Sequence, residues 1–221
     1  MAKRKEEGRV KRKMKNNGFF ITFESTGEGL GKTTQTKILK ENLEKMGYEV
    51  ILTREPGGTD FGNYIRDFVL FRKGMKIYDR AELFSFMTDR AQHYEELLKP
   101  SLEAGKIVIS DRYFDSTLAY QGAKGWSEKK LWTLHEIATD GLLPNLTFVL
   151  DGISMKELDT NDHFESMCMD ETFRKKVRQK TLEQINKSDR YYLLNKQEDI
   201  EQTSKKILDV TLKCLSKVIN T

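Results

Sequence analysis

Gly27-Glu28-Gly29-Leu30-Gly31-Lys32-Thr33-Thr34 follows the apolar stretch Phe19-Phe20-Ile21-Thr22-Phe23 and opens a helical pattern. Strand, glycine-rich turn and helix in that order form a cradle for phosphate oxygens. Gly27, Gly29 and Gly31 permit backbone angles that let successive N–H groups point inward. Lys32 brings a point charge, and Thr33 a hydroxyl suited to Mg²⁺. Leu30 and Thr34 belong to the same loop. The strict spacing G-x-x-x-x-G-K-[ST] calls for glycine at position 26, where Thr26 stands. A threonine forced into a glycine-only conformation would cost roughly 1–3 kcal/mol, and a bulge that relieved the strain would displace the amides. Either outcome predicts a looser hold on a triphosphate.

Three further clusters could do related chemistry. Ile107-Val108-Ile109 leads into Ser110-Asp111-Arg112-Tyr113, where a carboxylate at a strand end can hold magnesium through water. The adjacent guanidinium can fork onto a phosphate. Downstream, Thr117, Tyr120 and Gln121 share a helical face, aiming a hydroxyl, a phenol and an amide together. In ELFSFMTDRAQH, Phe86 and Arg90 lie four apart on one helix face, so a ring could cover a base while the guanidinium reaches its edge. The segment TREPGGT, residues 53–59, ends a strand at Pro56-Gly57-Gly58 and precedes a helix carrying Arg66. Each cluster has a plain alternative: a glycine turn, a surface ion pair, a core phenylalanine.

These groups need a frame that brings them together. Short β-rich runs are expected near Phe19–Glu24, Glu49–Arg54, Lys106–Ser110, Thr147–Leu150 and Tyr191–Asn195, with helical stretches between them. That alternation predicts an α/β fold, a parallel sheet covered on both faces. In such sheets ligands gather at the carboxyl ends of the strands, where all four clusters fall. Ile200, Ile207, Leu208, Thr211, Leu212, Leu215 and Val218 recur at helical spacing and predict a closing helix whose stripe is core.

The length of 221 residues suits one large domain. The net charge of +4 is local. Residues 1–17 hold eight Lys/Arg and two Glu, while the remainder has 30 basic and 32 acidic residues. The arm lacks aromatics that would stack on bases, so it reads as solvated disorder, and the acidic remainder argues against a nucleic-acid partner. No stretch has the apolar length of a signal peptide or a membrane span, which predicts a soluble protein of the cytoplasm with no membrane partner. Cys168 and Cys214 are too few for a disulfide framework.

As an ordered set, REPGGT, DRAQH, DRYFDSTLAYQG and ATDGLLPNLTFVLD resemble the thymidylate kinase family, in its bacterial branch, from Phe19 to about Asp151 and again through the C-terminal helices. The resemblance implies a P-loop kinase three-layer sandwich with a five-stranded parallel sheet, usually paired as a homodimer. ATP would give its γ-phosphoryl group to thymidine monophosphate, with Mg²⁺ bridging the donor. Lys32 and Thr33 match the phosphate and magnesium positions, and Glu28 the acidic loop position near the acceptor. Phe86 would stack on thymine, Arg90 bond its edge, and Thr117 and Gln121 complete base recognition. Tyr120 would crowd the ribose 2′ position, with Glu55 beside the sugar. Arg66 and Arg112 would grip the acceptor phosphate, and Asp111 would help order the metal.

The chain departs from that pattern on the donor side. Its loop is one residue longer between Phe23-Glu24 and Lys32, with Ser25-Thr26 in place of a glycine-containing step. In the lid, about residues 152–169, His163 stands where the family pattern carries arginine. An ordinary histidine, with a pKa near ~6.5, is mostly neutral at cytoplasmic pH. Two readings follow: a thymidylate kinase of reduced turnover, or a nucleotide-binding relative that has lost phosphoryl transfer and serves as a sensor or interaction partner.

Overall fold

The most fully buried strand occupies the middle of the sheet. In a computed structural model describing residues 18–71, 75–152, 166–167, 169–195 and 199–219, β1 (Phe19–Ser25) is buried along its whole length. It pairs in parallel with β3 (Ile107–Asp111) on one side and β4 (Leu146–Asp151) on the other. Beyond them lie β2 (Val50–Arg54) and β5 (Tyr191–Asn195), giving the order β2-β3-β1-β4-β5, all parallel. All five expected strands are present, with ends shifted by one residue at most. A strand covered on both faces has no polar side to show water, which is why β1 and β3 read as nearly continuous hydrophobic runs.

Helices cover both faces. On one, Phe19, Ile21 and Phe23 pack with Leu39 and Leu43 of α1 (Lys32–Lys45) and with Ile207 and Leu215 of the closing helix α8 (Ile200–Ile219). On the other, Phe20 and Val108 meet Leu83 and Met87 of α3 (Asp79–His93), Leu118 of α5 (Phe114–Ala123) and Leu131 of α6 (Glu128–Thr139). The helix α2 (Asp60–Leu70), capped by Thr59 accepting from the Gly62 amide, lies on α3. A π-helical turn (Tyr94–Leu98) links α3 to the short α4 (Lys99–Glu103), and α7 (Glu171–Ile185) packs on α5.

Among its described side chains, the closing helix behaves as its stripe predicts, with one exception. Ile207, Thr211 and Leu215 are buried, and Leu208 and Leu212 are partly buried against the core. Ile200, the first residue of the helix, is 61% exposed and offers its carbonyl to Gln35 instead of its side chain to the core. The basic arm, most of the expected lid including His163 and Cys168, and the side chain of Val218 lie outside the described residues. No described helix is long and apolar enough to cross a membrane.

Candidate active site

Strand parity decides which helix each strand-end residue faces. Side chains alternate between the two faces of a sheet, so Asp111 shares the α1 side with Ile107 and Ile109. There it accepts a hydrogen bond from Thr33 Oγ1 at 2.6 Å. Glu24 shares the opposite side with Phe20 and Thr22. It accepts from the Tyr113 amide (2.8 Å) and from Ser116 Oγ on α5 (2.5 Å).

The phosphate loop joins these faces. Gly31 caps α1 at φ 95°, and Gly29 lies at φ 68°, conformations that a side chain strains. The loop therefore runs directly into the N-terminus of α1, whose first amides form a natural anion site. Lys32 Nζ donates to Ser25 Oγ at 2.7 Å and lies 3.8 Å from Glu28. Burial and the neighbouring Arg112 push the Lys32 ammonium below its usual range, against the opposing pull of Glu28 and Asp111. Leu30 is packed in the core, so it can contribute only main chain, and Gly27 stands outside the cleft lining.

The extra residue causes no strain. Among the described residues the only non-glycine residues with positive φ are Arg112 and Asp140, so Thr26 keeps an ordinary backbone. Its amide extends the sheet ladder to the Leu150 carbonyl (3.0 Å), and its hydroxyl donates to Asp151 Oδ1 (2.7 Å). Arg178 of α7 closes on the same carboxylate with two bonds of 2.8 and 3.0 Å. Thr26 thus lies just past the end of β1 with its amide and hydroxyl both bonded to β4. Of the two outcomes expected at position 26, the strained threonine is overturned by this backbone.

Glu28 is the meeting point of the site. Its Oε1 accepts from both the Arg112 guanidinium and the Tyr120 phenol. Burial alone would raise its pKa, but Arg112, Lys32 and Tyr120 hold it down at about 2. Arg112 itself sits at φ 72°, a left-handed conformation costing roughly 1–2 kcal/mol for a residue with a Cβ.

A second network surrounds the acceptor side. Phe86 and Arg90 share a face of α3 as their spacing requires, and both are buried. Arg90 Nε donates to Glu55 Oε2 at 2.8 Å and its Nη2 to Thr117 Oγ1 at 3.0 Å. The other Glu55 oxygen meets His93 Nδ1 at 2.9 Å, and His93 Nε2 meets Thr53 Oγ1 at 2.7 Å. Burial would raise the Glu55 carboxyl, yet Arg90 and His93 hold it below the usual carboxylate range. A methyl at Gly58 would collide with Thr53 and His93, which explains the glycine in the turn after β2. Arg66 reaches in from α2, its Nη1 donating to the Pro56 carbonyl at 3.0 Å. Gln121 Nε2 lies 3.4 Å from Glu82 Oε1, which also accepts from Lys124 at 2.5 Å.

Both networks open into one cleft of about 770 Å³. Its lining takes in Glu28, Gly29, Gly31, Lys32, Thr33 and Thr34 from the phosphate loop. Glu55, Arg66, Phe86, Arg90, Asp111, Arg112, Thr117, Tyr120 and Gln121 line it too. Sequence reasoning missed Ser116 and Asp89, which also line the cleft, and the residues behind it: Ser25, Glu24, His93 and Glu82. Glu24 had a visible signal, an acid inside the otherwise apolar FFITFES. Asp89 accepts from the Gly57 amide at 2.9 Å, and burial together with Glu55 pushes its carboxyl up to about 8.

Residues 27–207 match the family model described as thymidylate kinase. A thymidylate kinase of Sulfurihydrogenibium sp. (strain YO3AOP1) is 44% identical over 198 residues, covering 87% of this chain and 96% of that protein. One of Halothermothrix orenii is 39% identical over 210 residues, covering 90% and 99%. Among solved structures, the thymidylate kinase of Ehrlichia chaffeensis is similar with a TM-score of 0.73 at 31% identity, covering 89% of this chain and 99% of that one. These similarities favour the kinase reading over that of a binding protein without transfer.

Proposed function

This chain belongs to the thymidylate kinase family, and from that premise we propose how its own residues divide the work. The activity is ATP-dependent phosphorylation of thymidine monophosphate to the diphosphate. The observation that carries the assignment of roles is the shared cleft: the phosphate loop with Lys32 and the residues Phe86, Arg90, Thr117 and Gln121 line one cavity.

On the acceptor side, Phe86 stacks on the base, while Arg90, Thr117 and Gln121 address its edge. Tyr120 occupies the 2′ side of the sugar, with Glu55 behind it through Arg90. Arg66 and Arg112 hold the acceptor phosphate. That phosphate, with a second pKa near ~6, is largely a dianion at neutral pH, so its attacking oxygen needs no general base. On the donor side, Lys32 leaves Ser25 for the triphosphate, joined by the amides of Gly29 to Thr34. Glu28 keeps Lys32 and Arg112 charged and oriented until phosphate oxygens replace it. The chemistry is then alignment and charge neutralisation.

Thr33 and Asp111 fit a magnesium ion, since they place two hard oxygen donors together on the cleft wall. Among the described residues no group of three His, Cys, Asp or Glu could hold a metal, which suits an ion bound through few protein oxygens and the nucleotide's phosphates. When bound, Mg²⁺ would offset the charge of the donor phosphates.

We also propose a homodimer of the cytoplasm, where both nucleotides are found. Phe61, Tyr64 and Phe68 are exposed on one face of α2, with Phe84 exposed on the neighbouring α3. Sedimentation should give twice the chain mass, and Tyr64→Glu should shift it toward the monomer; a native monomer rules the pairing out. For the reaction, a coupled assay with ATP, Mg²⁺ and thymidine monophosphate should show turnover above ~0.1 s⁻¹. Saturable monophosphate binding without turnover would overturn the enzymatic reading.

A further inference from the structure

Arg112 is held at both ends by a single buried residue. Its backbone has the left-handed φ of 72°, and the groups that keep it there are on the page. Its own amide donates to the Phe23 carbonyl (2.9 Å), Ser110 Oγ donates to its carbonyl (2.7 Å), and the next amide, of Tyr113, donates to Glu24 Oε1 (2.8 Å). Its side chain is held by the same acid at one remove. Arg112 Nη1 donates to Ser116 Oγ at 3.0 Å, and Ser116 Oγ donates to Glu24 Oε2 at 2.5 Å.

We propose that Glu24, with Ser116 as its relay, is the positioning residue that aims Arg112 at the acceptor phosphate. The inference rests on the assignment of Arg112 to that phosphate. Glu24 touches no substrate; it is 2% exposed and absent from the cleft lining. A residue selected for core packing alone would not be an acid here, because Asp115 lies close on the same helix as Ser116. Burial and Asp115 together raise the Glu24 carboxyl to about 7, so its ionised form is disfavoured by its surroundings. What the carboxylate supplies is two acceptor oxygens on one rigid group, one for the backbone and one for the relay. Glutamine keeps the shape and reverses the relay: with its carbonyl on the Tyr113 amide, its NH₂ must donate to Ser116 Oγ, so the hydroxyl no longer donates to the acid that orients it.

Steady-state kinetics on the full chain test this with Glu24→Gln, Ser116→Ala, Ser116→Thr and Arg112→Lys, each checked for native melting. At saturating ATP, Glu24→Gln and Ser116→Ala should raise the KM for thymidine monophosphate about tenfold, the scale of one lost charge-assisted hydrogen bond. The KM for ATP should stay within about twofold. Ser116→Thr, which restores the hydroxyl, should return the KM toward that of the parent. Arg112→Lys should raise the same KM, and adding Ser116→Ala to it should change little, because the relay acts only through the guanidinium. If the two substitutions instead add fully, or Ser116→Ala has no effect, the positioning role is wrong while the Arg112 assignment stands. If Arg112→Lys leaves the monophosphate KM unchanged, the underlying assignment fails. Should Glu24→Gln not fold, Ser116→Ala and its cycle with Arg112→Lys decide alone.

Discussion

The two halves of the cleft are made of different materials. The acceptor side consists of side chains already bonded to one another, from Thr53 through His93, Glu55 and Arg90 to Thr117. The donor side consists of main-chain amides at a helix start, with Lys32 resting on Ser25. A base must be distinguished from other bases, which needs polar groups fixed in advance. A triphosphate needs only a concave array of donors. The inserted residue falls on the donor side, where Thr26 is unstrained and bonded to Leu150 and Asp151.

The sharpest way to break the comparison is Arg90→Ala. It leaves Glu55 buried without its guanidinium, and losing one partner of a buried pair costs about 3–5 kcal/mol. Chemical denaturation should register that loss; a loss below about 1 kcal/mol would mean the acceptor network is not preorganised. Lys32→Ala should spare stability and monophosphate binding yet lower kcat about 10²–10³-fold, the scale for one charge-stabilising donor. Calorimetry alongside the kinase assay separates the two, and an equal weakening of monophosphate binding would erase the division of labour.

Asp89 offers a subtler probe of the acceptor side. Its native pKa is about 8, raised from 3.8, so between those values the folded chain holds a proton that the unfolded chain has released. Stability should therefore be highest below that window and fall as pH rises through it, at up to about 1.4 kcal/mol per pH unit. Asp89→Asn should flatten this slope in melts recorded from pH 5 to 9; an unchanged slope would assign the proton elsewhere. On the donor side, His163→Arg should raise kcat about tenfold if a lid charge is what limits turnover, a cautious fraction of what such arginines supply. An unchanged kcat would place the limit elsewhere. The smallest effect belongs to Thr26→Gly, which restores the motif glycine. Because Thr26 is unstrained and bonded to Asp151, the change should lower stability by about 1 kcal/mol and leave ATP affinity alone. Tighter ATP binding would revive the strain that the backbone shows no sign of.

The readable parts of the molecule were those that depend on neighbours in sequence. Glycines before Lys32-Thr33, apolar runs such as Ile107-Val108-Ile109 and the four-residue step from Phe86 to Arg90 each carry their meaning locally. Strand positions, the parallel α/β class and the cleft-lining residues followed from them. Family resemblance then supplied roles that spacing alone left open. The closing helix was legible too, apart from Ile200, whose apolar character says nothing about whether the sheet lies beneath it.

Tertiary structure alone decided the second layer. Glu24 and Ser116 are 92 residues apart, and Glu55 and Arg90 are 35 apart, so their bonds exist only because strand order and register bring those segments together. Thr26 was misjudged for the same reason: whether a residue is strained depends on the ladder partner it finds, and Leu150 is supplied by β4. A sequence states periodicity and residue chemistry directly, because each is a property of the local chain. Hydrogen-bond partners across a sheet are properties of the packed whole, and no local pattern encodes them.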